Sequence, residues 1–259
     1  MSLLYQVRNA VGIITLNRPE AMNAIDPETL AQLRDCWEKI GQDPALRCII
    51  LTATGTRAFC TGSDLKKTMP PKEGIAQLTF GAETAAHLLD GMDQVKIPIV
   101  CAINGFAIGG GLELALACDL RIASKNAKFG LPEVCIGSIP GGAGTQRLPR
   151  IIGLSNAMHM LLTGTIVDAC EAHRVGLISH LVDQADLMPE ALAIADRIAA
   201  NAPLSVRAIK RLVEDGMDMP LDQAVKHEAF VFGILRDSHD RIEGRKAFQQ
   251  KRKPAFEGR

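Results

Sequence analysis

The sequence predicts an α/β fold of packed layers with mainly parallel strands, followed by a helical C-terminal region. Over about the first two thirds of the 259 residues, short apolar strand-like segments alternate with helix-like segments. This alternation is typical of parallel sheets covered by helices. From about residue 154 onward the strand pattern nearly vanishes, and one short strand-like segment remains, "LISHLV" (177–182).

The N-terminal elements are predicted from local signals. Two β-branched segments, separated only by Asn9 and Ala10, predict a hairpin: "LLYQVR" (3–8) and "VGIITLNR" (11–18). The next segment, 26–43, begins with Asp26 as a helix N-cap and Pro27 in the first turn, and its apolar residues recur at helical spacing. A helix is therefore predicted there.

The remaining elements follow from the same signals. Three apolar runs predict strands: "RCIILTAT" (47–54), "IPIVCAI" (97–103) and "LRIAS" (120–124). Helical patterns cover the following ranges: 74–95, 112–118, 155–164, 168–176, 188–202, 203–217 and 221–235. We divide the chain into a core (1–200) and a C-terminal helical region (201–259), with no low-complexity linker or simple repeat between them.

The composition restricts the function classes. The chain has 29 basic and 29 acidic residues, one Trp and one Tyr, so neither a nucleic acid nor an anionic membrane is expected as a partner. Seven cysteines without a C-x-x-C pair indicate small buried side chains in a reducing compartment. No secretory signal or membrane-spanning run is found, so we expect a cytoplasmic protein, or a mitochondrial matrix protein if a transit peptide has been removed.

Glycine clusters stand out in the loops that follow predicted strands. The run Gly109–Gly111 begins a helix-like segment, where its backbone N–H groups would suit a developing negative charge, and one more N–H from "TGSD" (61–64) would complete a two-donor oxyanion hole. The alternative is that these glycines only permit close packing of helix and strand. Neither this run nor "GGAG" (141–144) has the spacing of a dinucleotide or phosphate-binding loop.

Two glutamates, Glu113 and Glu133, each lie beside a glycine-rich turn. Such a pair suits acid–base chemistry if burial keeps one near neutral, but each could equally be a cap or a solvated acid. The six histidines show no metal-binding spacing, so no metal site is predicted. Ser63 is not expected to be a nucleophile, because no histidine lies in these loops and no G-x-S-x-G motif is present.

Five stretches, in this order, carry a resemblance to the enoyl-CoA hydratase/isomerase (crotonase) superfamily: "LNRPEAMNAID", "AFCTGSDLKK", "IPIVCAINGFAIGGGLELALACDLRIAS", "FGLPEVCIGSIPGGAGTQRLPR" and "DRIEGRKAFQQKRKPAF". The resemblance implies a crotonase-like spiral of ββα units and a C-terminal helical trimerisation region. It further implies a homo-oligomer, either a trimer or a dimer of trimers.

The resemblance also implies a site. The N–H groups of Ser63 and Gly110 would hold the thioester carbonyl of an acyl-CoA as it becomes an enolate. In the hydratases of the family two glutamates add water across the 2,3-double bond, a reaction of fatty acid and lipid metabolism. Matched by motif, Glu133 would protonate the α-carbon and Glu113 would help to deprotonate the attacking water. Coenzyme A is then part of the substrate, and no separate cofactor is expected.

Contacts with coenzyme A follow from the same resemblance. Met22 and Ala24 match positions beside the adenine, and Arg57 and Lys66 match positions near the phosphates, although a solvated charged rim explains those two equally well. Segment 68–77 would form the edge of the acyl pocket. The other substrate-binding positions are Thr61, Gly62, Asp64, Leu65, Ile108, Gly109, Pro132, Gly141, and two that would reach the coenzyme A of a neighbouring subunit, Phe248 and Lys251.

The sequence departs from the family pattern at two positions, and the residues do not separate the branches of the superfamily. Thr61 precedes the oxyanion loop, and Ser63 replaces the alanine common in short-chain hydratases. The stretches "IGGGLELALACDL" and "GGAGTQRLPR" are also similar to the branched-chain and methylglutaconyl-type hydratases, and "IEGRKAF" is similar to the carnitinyl-CoA branch. The alternatives to a hydratase are an enoyl-CoA isomerase or another crotonase-type enzyme, and a non-catalytic acyl-CoA-binding or scaffold subunit, with or without RNA affinity. The glutamate pair and the zero net charge argue against the last of these.

Overall fold

The computed structural model describes residues 1–68 and 87–259. Within these residues, six strands form one sheet in the order β1-β2-β3-β5-β7-β10. The strands are β1 (Leu3–Arg8), β2 (Val11–Leu16), β3 (Cys48–Ala53), β5 (Ile99–Ile103), β7 (Leu120–Ser124) and β10 (His180–Val182). In this sheet each strand from β2 onward pairs in parallel with the next in that order, and β1 pairs with β2 as the predicted antiparallel hairpin. Both predictions are confirmed.

A second sheet contains four short strands in the order β4-β6-β8-β9. These are β4 (Ala58–Cys60), β6 (Phe106–Ile108), β8 (Lys128–Gly130) and β9 (Val167–Asp168). The first three pair in parallel, and β9 runs antiparallel to β8. A long strand of the first sheet therefore precedes each of β4, β6 and β8, which gives the repeated ββα arrangement that the resemblance implies.

The buried side chains of the large sheet form two cores, one on each face. On one face of the large sheet, Ile49 and Leu51 pack with Trp37 of helix α1 (Pro27–Gln42) and with the second sheet. On the other face, Cys48 and Ile50 pack against helix α7 (Leu187–Ala199). Because strand side chains alternate between faces, almost every residue of these central strands is buried, which explains their continuously apolar sequence.

The other helices of the described chain surround this core and extend from it. They are α2 (Leu65–Thr68), α3 (Gly110–Leu116), α4 (Gly144–Ile152), α5 (Leu154–Thr163), α6 (Ala169–Arg174), α8 (Pro203–Gly216), α9 (Leu221–Leu235) and α10 (His239–Gln249). Helix α9 contains no buried residue, and Pro203 is the one buried residue of α8. The boundary between a core and a C-terminal region near residue 200 stays a prediction.

The structure corrects the sequence-based assignment at three places. No strand was predicted in 56–67, 104–113 or 128–147, but these ranges contain β4, β6 and β8, which are too short to show alternation. The two-residue strand β9 also lies in the C-terminal third, where "LISHLV" was expected to be the one strand. Of the predicted helix 74–95, residues 74–86 lie outside the described part of the chain. Residues 87–95 form turns and a short 3₁₀ helix, Met92–Gln94, because Gly91 adopts a left-handed conformation.

Candidate active site

The three parallel strands of the second sheet bring three loops together. Strand β4 ends before Thr61, β6 ends before Gly109, and β8 ends before Leu131. Since these strands are parallel neighbours, their carboxyl ends lie at the same edge of the sheet, and the loops that follow them meet there. Each of these loops carries residues that the sequence singled out.

The loop after β4 contacts the start of helix α3. Gly62 has a φ of +83°, and a Cβ added there would lie 2.8 Å from the backbone nitrogen of Gly110. The chain can approach this closely only without a side chain, and glycine is the residue that adopts this φ without strain. The backbone nitrogens of Ser63 and Gly110 are thereby held on neighbouring loops.

The backbone N–H groups of these two residues do not take part in the local hydrogen bonds. Ser63 and Ile25 form a parallel bridge in which Ile25 N–H donates to the Gly62 carbonyl and Asp64 N–H donates to the Ile25 carbonyl. This bridge does not use the N–H of Ser63. Within residues 1–68 and 87–259, neither that group nor the N–H of Gly110 has a backbone or side-chain acceptor.

The last residue of the glycine run has a different role. A Cβ on Gly111 would lie 2.0 Å from the carbonyl oxygen of Cys60, so Gly111 permits the contact between α3 and β4. The packing explanation is therefore correct for Gly111. Gly109, with a φ of +56°, instead lies beside Glu133, whose Oε1 would be 3.1 Å from an added Cβ.

Glu113 is a buried carboxylate on helix α3, with 4% of its surface exposed. Its Oε1 accepts hydrogen bonds from the N–H groups of Gly142 (2.6 Å) and Gly144 (2.8 Å). The second glycine cluster thus holds one oxygen of this carboxylate and leaves Oε2 available. Glu113 is neither a helix cap nor a solvated acid.

Glu133 lies in the 3₁₀ helix Pro132–Ile136 that follows β8. Its Oε2 is buried and has no hydrogen-bond partner among the residues that the structure describes. Burial raises the pKa of Glu133 above its ordinary value, and the negative charge of Glu113 raises it further. The two carboxylates therefore have different environments: Glu113 is buried and fixed by two N–H donors, whereas Glu133 is half-buried and its Oε2 has no donor among the described residues.

An ion-pair network that was not predicted from the sequence fixes the 61–64 loop on the side of the 22–26 segment. The guanidinium of Arg18 contacts Asp64 at 3.1 Å and Asp26 at 3.4 Å, and it donates a hydrogen bond to the Ala24 carbonyl. Burial raises the pKa of Asp26, but hydrogen bonds from Lys67 and Thr29 and the charge of Arg18 hold that pKa well below its usual value. The motif "NRPE" contained Arg18, but the pairing depends on a contact 46 residues away.

Most of the expected substrate-binding residues lie around this loop. The Thr61 hydroxyl donates to the Met22 carbonyl at 3.4 Å, which joins the 22–25 segment to the 61–64 loop. The Asp64 carboxylate is bound to Arg18, so its side chain serves the loop's structure. Three of the expected residues are exposed at the surface: Arg57, Leu65 and Lys66. Ile108 is the last residue of β6, and three others lie in the segments that follow these strands: Gly109, Pro132 and Gly141.

Two of the expected substrate-binding residues, Phe248 and Lys251, lie at the C-terminal end of the chain. Phe248 is 85% exposed on α10, and Lys251 follows that helix. No hydrogen bond within the described ranges joins either residue to the loops of the site. Their role toward a neighbouring subunit stays a prediction, and residues 69–77 of the expected pocket edge lie outside the described chain.

The described residues contain neither a metal-ligand cluster nor a membrane-spanning helix. No cluster of three or more His, Cys, Asp or Glu side chains in residues 1–68 and 87–259 could hold a metal ion. In the same ranges, no helix has the length and apolar character needed to span a membrane.

The chain is similar to known proteins over nearly its whole length. The chain is 49% identical to (E)-benzylidenesuccinyl-CoA hydratase of Thauera aromatica, over 100% of both chains, and 38% identical to crotonyl-CoA hydratase of Syntrophomonas wolfei, over 98% and 97% of the two. The crystal structure of enoyl-CoA hydratase from Bacillus anthracis superimposes with a TM-score of 0.93 at 35% identity, over 100% of both chains. Residues 6–259 match the family described as enoyl-CoA hydratase/isomerase, and the chain belongs to that family.

Proposed function

We propose that the protein is an enoyl-CoA hydratase, which adds water across the 2,3-double bond of a 2-enoyl-CoA to give a 3-hydroxyacyl-CoA. The observation that carries the proposal is the pair of carboxylates with opposite environments beside two backbone N–H groups. Glu113 is ordered by Gly142 and Gly144, whereas Glu133 is desolvated and has a raised pKa. A pair of acids in such different environments suits one base and one acid.

The oxyanion hole would consist of the N–H groups of Ser63 and Gly110. In hydration, negative charge develops on the thioester oxygen as water attacks C3. Two preorganised N–H donors at that oxygen stabilise the enolate-like transition state, and one donor of this kind is typically worth roughly 2.7–4 kcal/mol. Because the donors are backbone groups, the serine in place of alanine at position 63 leaves this interaction intact.

The two glutamates account for every proton transferred in the reaction. The ionised Glu113 accepts a proton from water while the water oxygen bonds to C3. The protonated Glu133 delivers its proton to C2. The cycle ends with the proton on Glu113 and a charge on Glu133, and exchange with solvent restores the starting state. The pair holds one proton throughout, on Glu133 before hydration and on Glu113 before dehydration, so the total charge of the pair is the same in both directions.

The proposal extends to substrate and assembly. The names of the relatives include an unbranched short-chain substrate, crotonyl-CoA, and an aromatic one, (E)-benzylidenesuccinyl-CoA, so both belong in the first assay. Coenzyme A would enter as part of the substrate, with no separate cofactor, in a cytoplasmic homo-oligomer. The exposed apolar side chains of α8 and α9 support self-association, since patches of this kind mark interaction surfaces.

The test measures loss of the conjugated enoyl-thioester absorbance in the wild type, Glu113→Gln and Glu133→Gln. Glu171→Gln is the matched control, because the Glu171 side chain is 41% exposed and its one ion pair within the described residues is with Arg174. We expect turnover to fall by about 10²- to 10⁴-fold in the two site variants and to stay unchanged in the control. A wild type that shifts the double bond instead of hydrating it, or that is inert toward every enoyl-CoA tested, refutes the proposal.

A further inference from the structure

The imidazole of His87 is hydrogen-bonded to the glycine loop that holds Glu113. His87 Nε2 lies 2.8 Å from the carbonyl oxygen of Gly141. The backbone of His87 is fixed in a turn, where its N–H donates to the Asp90 carboxylate at 2.6 Å. This contact joins two segments 54 residues apart, and the resemblance assigned no role to His87.

The surroundings of His87 define which ring nitrogen carries the proton. A carbonyl oxygen only accepts hydrogen bonds, so Nε2 must carry the hydrogen that reaches Gly141. Nδ1 lies 3.4 Å from the N–H of Leu89, from which it accepts. A neutral imidazole protonated on Nε2 satisfies both contacts.

The carbonyl that His87 contacts belongs to the same peptide group as the N–H of Gly142. That N–H donates to Glu113 Oε1 at 2.6 Å. The result is a continuous chain from His87 Nε2–H through the Gly141–Gly142 peptide to the Glu113 carboxylate. Hydrogen bonds in series polarise one another, so a donor at the carbonyl makes the N–H at the other end a stronger donor.

We propose that His87 is a positioning residue that orients the Gly141–Gly142 peptide and, through it, the carboxylate of Glu113 for the attack of water. This inference rests on the proposed function. His87 would not touch the reacting atoms. It would fix the plane of one peptide so that Oε1 stays bound and Oε2 faces the water.

The kinetic test uses His87→Phe, which keeps a planar ring but has no donor, and His87→Gln, which restores an N–H at a similar distance from the backbone. For His87→Phe we expect kcat of hydration to fall roughly five- to tenfold, with KM nearly unchanged, as for loss of one hydrogen bond. His87→Gln should recover most of that loss. A fall in kcat that the glutamine does not recover contradicts the inference.

A double-mutant cycle separates positioning of Glu113 from general damage. Once Glu113 is replaced by Gln, the hydrogen-bonded chain from His87 has no base to orient. Adding His87→Phe should then lower kcat by less than about twofold. Equal losses in the two backgrounds would show that His87 does not act through Glu113. If the wild type hydrates and Glu113→Gln is impaired while His87→Phe matches the wild type, this inference fails and the proposed function stands.

A readout independent of activity completes the test. In protein labelled with ¹⁵N-glycine, the short bond to Glu113 should place the Gly142 amide proton at low field. His87→Phe should move that resonance upfield, and His87→Gln should restore it. An unchanged Gly142 resonance in His87→Phe overturns the inference that His87 acts through the Gly141–Gly142 peptide, even if no enoyl-CoA is hydrated.

Discussion

Gly142 contacts the Glu113 carboxylate in two ways. Its N–H donates to Oε1 at 2.6 Å, and its Cα faces the other oxygen so closely that a Cβ would lie 2.8 Å from Oε2. The second N–H donor, from Gly144, binds Oε1 as well. One backbone segment therefore fixes the position of the carboxylate and also leaves no room for a side chain beside it.

Gly142→Ala should impair catalysis without unfolding the protein. The backbone of Gly142 does not lie in the left-handed region, so alanine suits its conformation, but the methyl group would displace Glu113 from its two donors. We expect kcat for hydration to fall by at least about tenfold, because a catalytic base must lie within hydrogen-bond reach of its proton. Stopped assays on crotonyl-CoA measure the fall.

Gly41→Ala provides the control for this substitution. Gly41 lies in helix α1, and a Cβ there would meet the nearest atom of Gln94 at an ordinary 3.6 Å. This variant should keep full activity and gain stability of roughly 0.5–1 kcal/mol from the helix preference for alanine. Full activity in Gly142→Ala would mean that the Glu113 carboxylate tolerates displacement, against the proposed mechanism.

Glu133→Gln should stabilise the protein at neutral pH. The folded pKa of Glu133 is raised above 4.5, so the folded state binds its proton more tightly than the unfolded state. Stability is therefore lost as pH rises from the unfolded pKa through the folded one, and the loss is complete above it. The variant should melt at a higher temperature than the wild type at about pH 7.5, with a smaller difference near pH 4.

The pKa itself is measurable by NMR titration of ¹³Cδ-labelled glutamate. Glu133 should titrate above 4.5, and Glu113→Gln should lower that pKa only in part, because burial is the larger cause and the charge of Glu113 the smaller. An ordinary pKa in the wild type would remove the basis for assigning Glu133 as the acid. The same titration would then show a solvated carboxyl group.

The sequence was sufficient to predict the elements that depend on local signals. The hairpin, helix α1 and the buried parallel strands each have caps, turns or long apolar runs, and the glutamates and glycines of the site lie in recognisable motifs. Strands β4, β6 and β8 were not predicted, because three residues are too few to show a period of two. Their existence depends on pairing with one another, which is a tertiary property.

Contacts between residues that are distant in sequence could not be predicted from local patterns either. The packing role of Gly111 depends on the carbonyl of Cys60, and the Arg18–Asp64 pair depends on the Ile25–Ser63 bridge that brings the two segments together. A charged residue in "NRPE" and another in "TGSD" give no sign of each other in the sequence. Residue types could therefore be assigned to the site, while the contacts that fix them required coordinates.

Arg18→Met should destabilise the fold and loosen the oxyanion loop. The side chains of Arg18 and Asp64 are each 13% exposed, so removing the guanidinium leaves a largely buried carboxylate without its cation. Breaking such a pair typically costs about 3–5 kcal/mol. Urea unfolding should show a loss of this order, and kcat should fall as Ser63 loses its support.

The Arg18 prediction has a control and a pH signature. Arg174→Met removes an exposed ion pair with Glu171 and should change neither stability nor activity measurably. Because the folded pKa of Asp26 lies below its unfolded value, the network stabilises the fold above about pH 4 and loses that effect as pH falls toward the folded pKa. Equal losses in Arg18→Met and Arg174→Met would contradict a structural role for the network.

Helix α8 presents an apolar stripe for which we predict a partner subunit. Ile209 and Val213 on α8, and Met217 directly after its last residue, are spaced four residues apart and are each more than 60% exposed. Three apolar side chains in line along the helix and its C-terminal end form a surface that a monomer seldom leaves in water. Light scattering should therefore give a trimer or a dimer of trimers for the wild type and smaller species for Val213→Glu. Val7→Glu, at an exposed valine of β1, adds the same charge elsewhere and should keep the wild-type mass. An unchanged mass in Val213→Glu would place the subunit interface on another face.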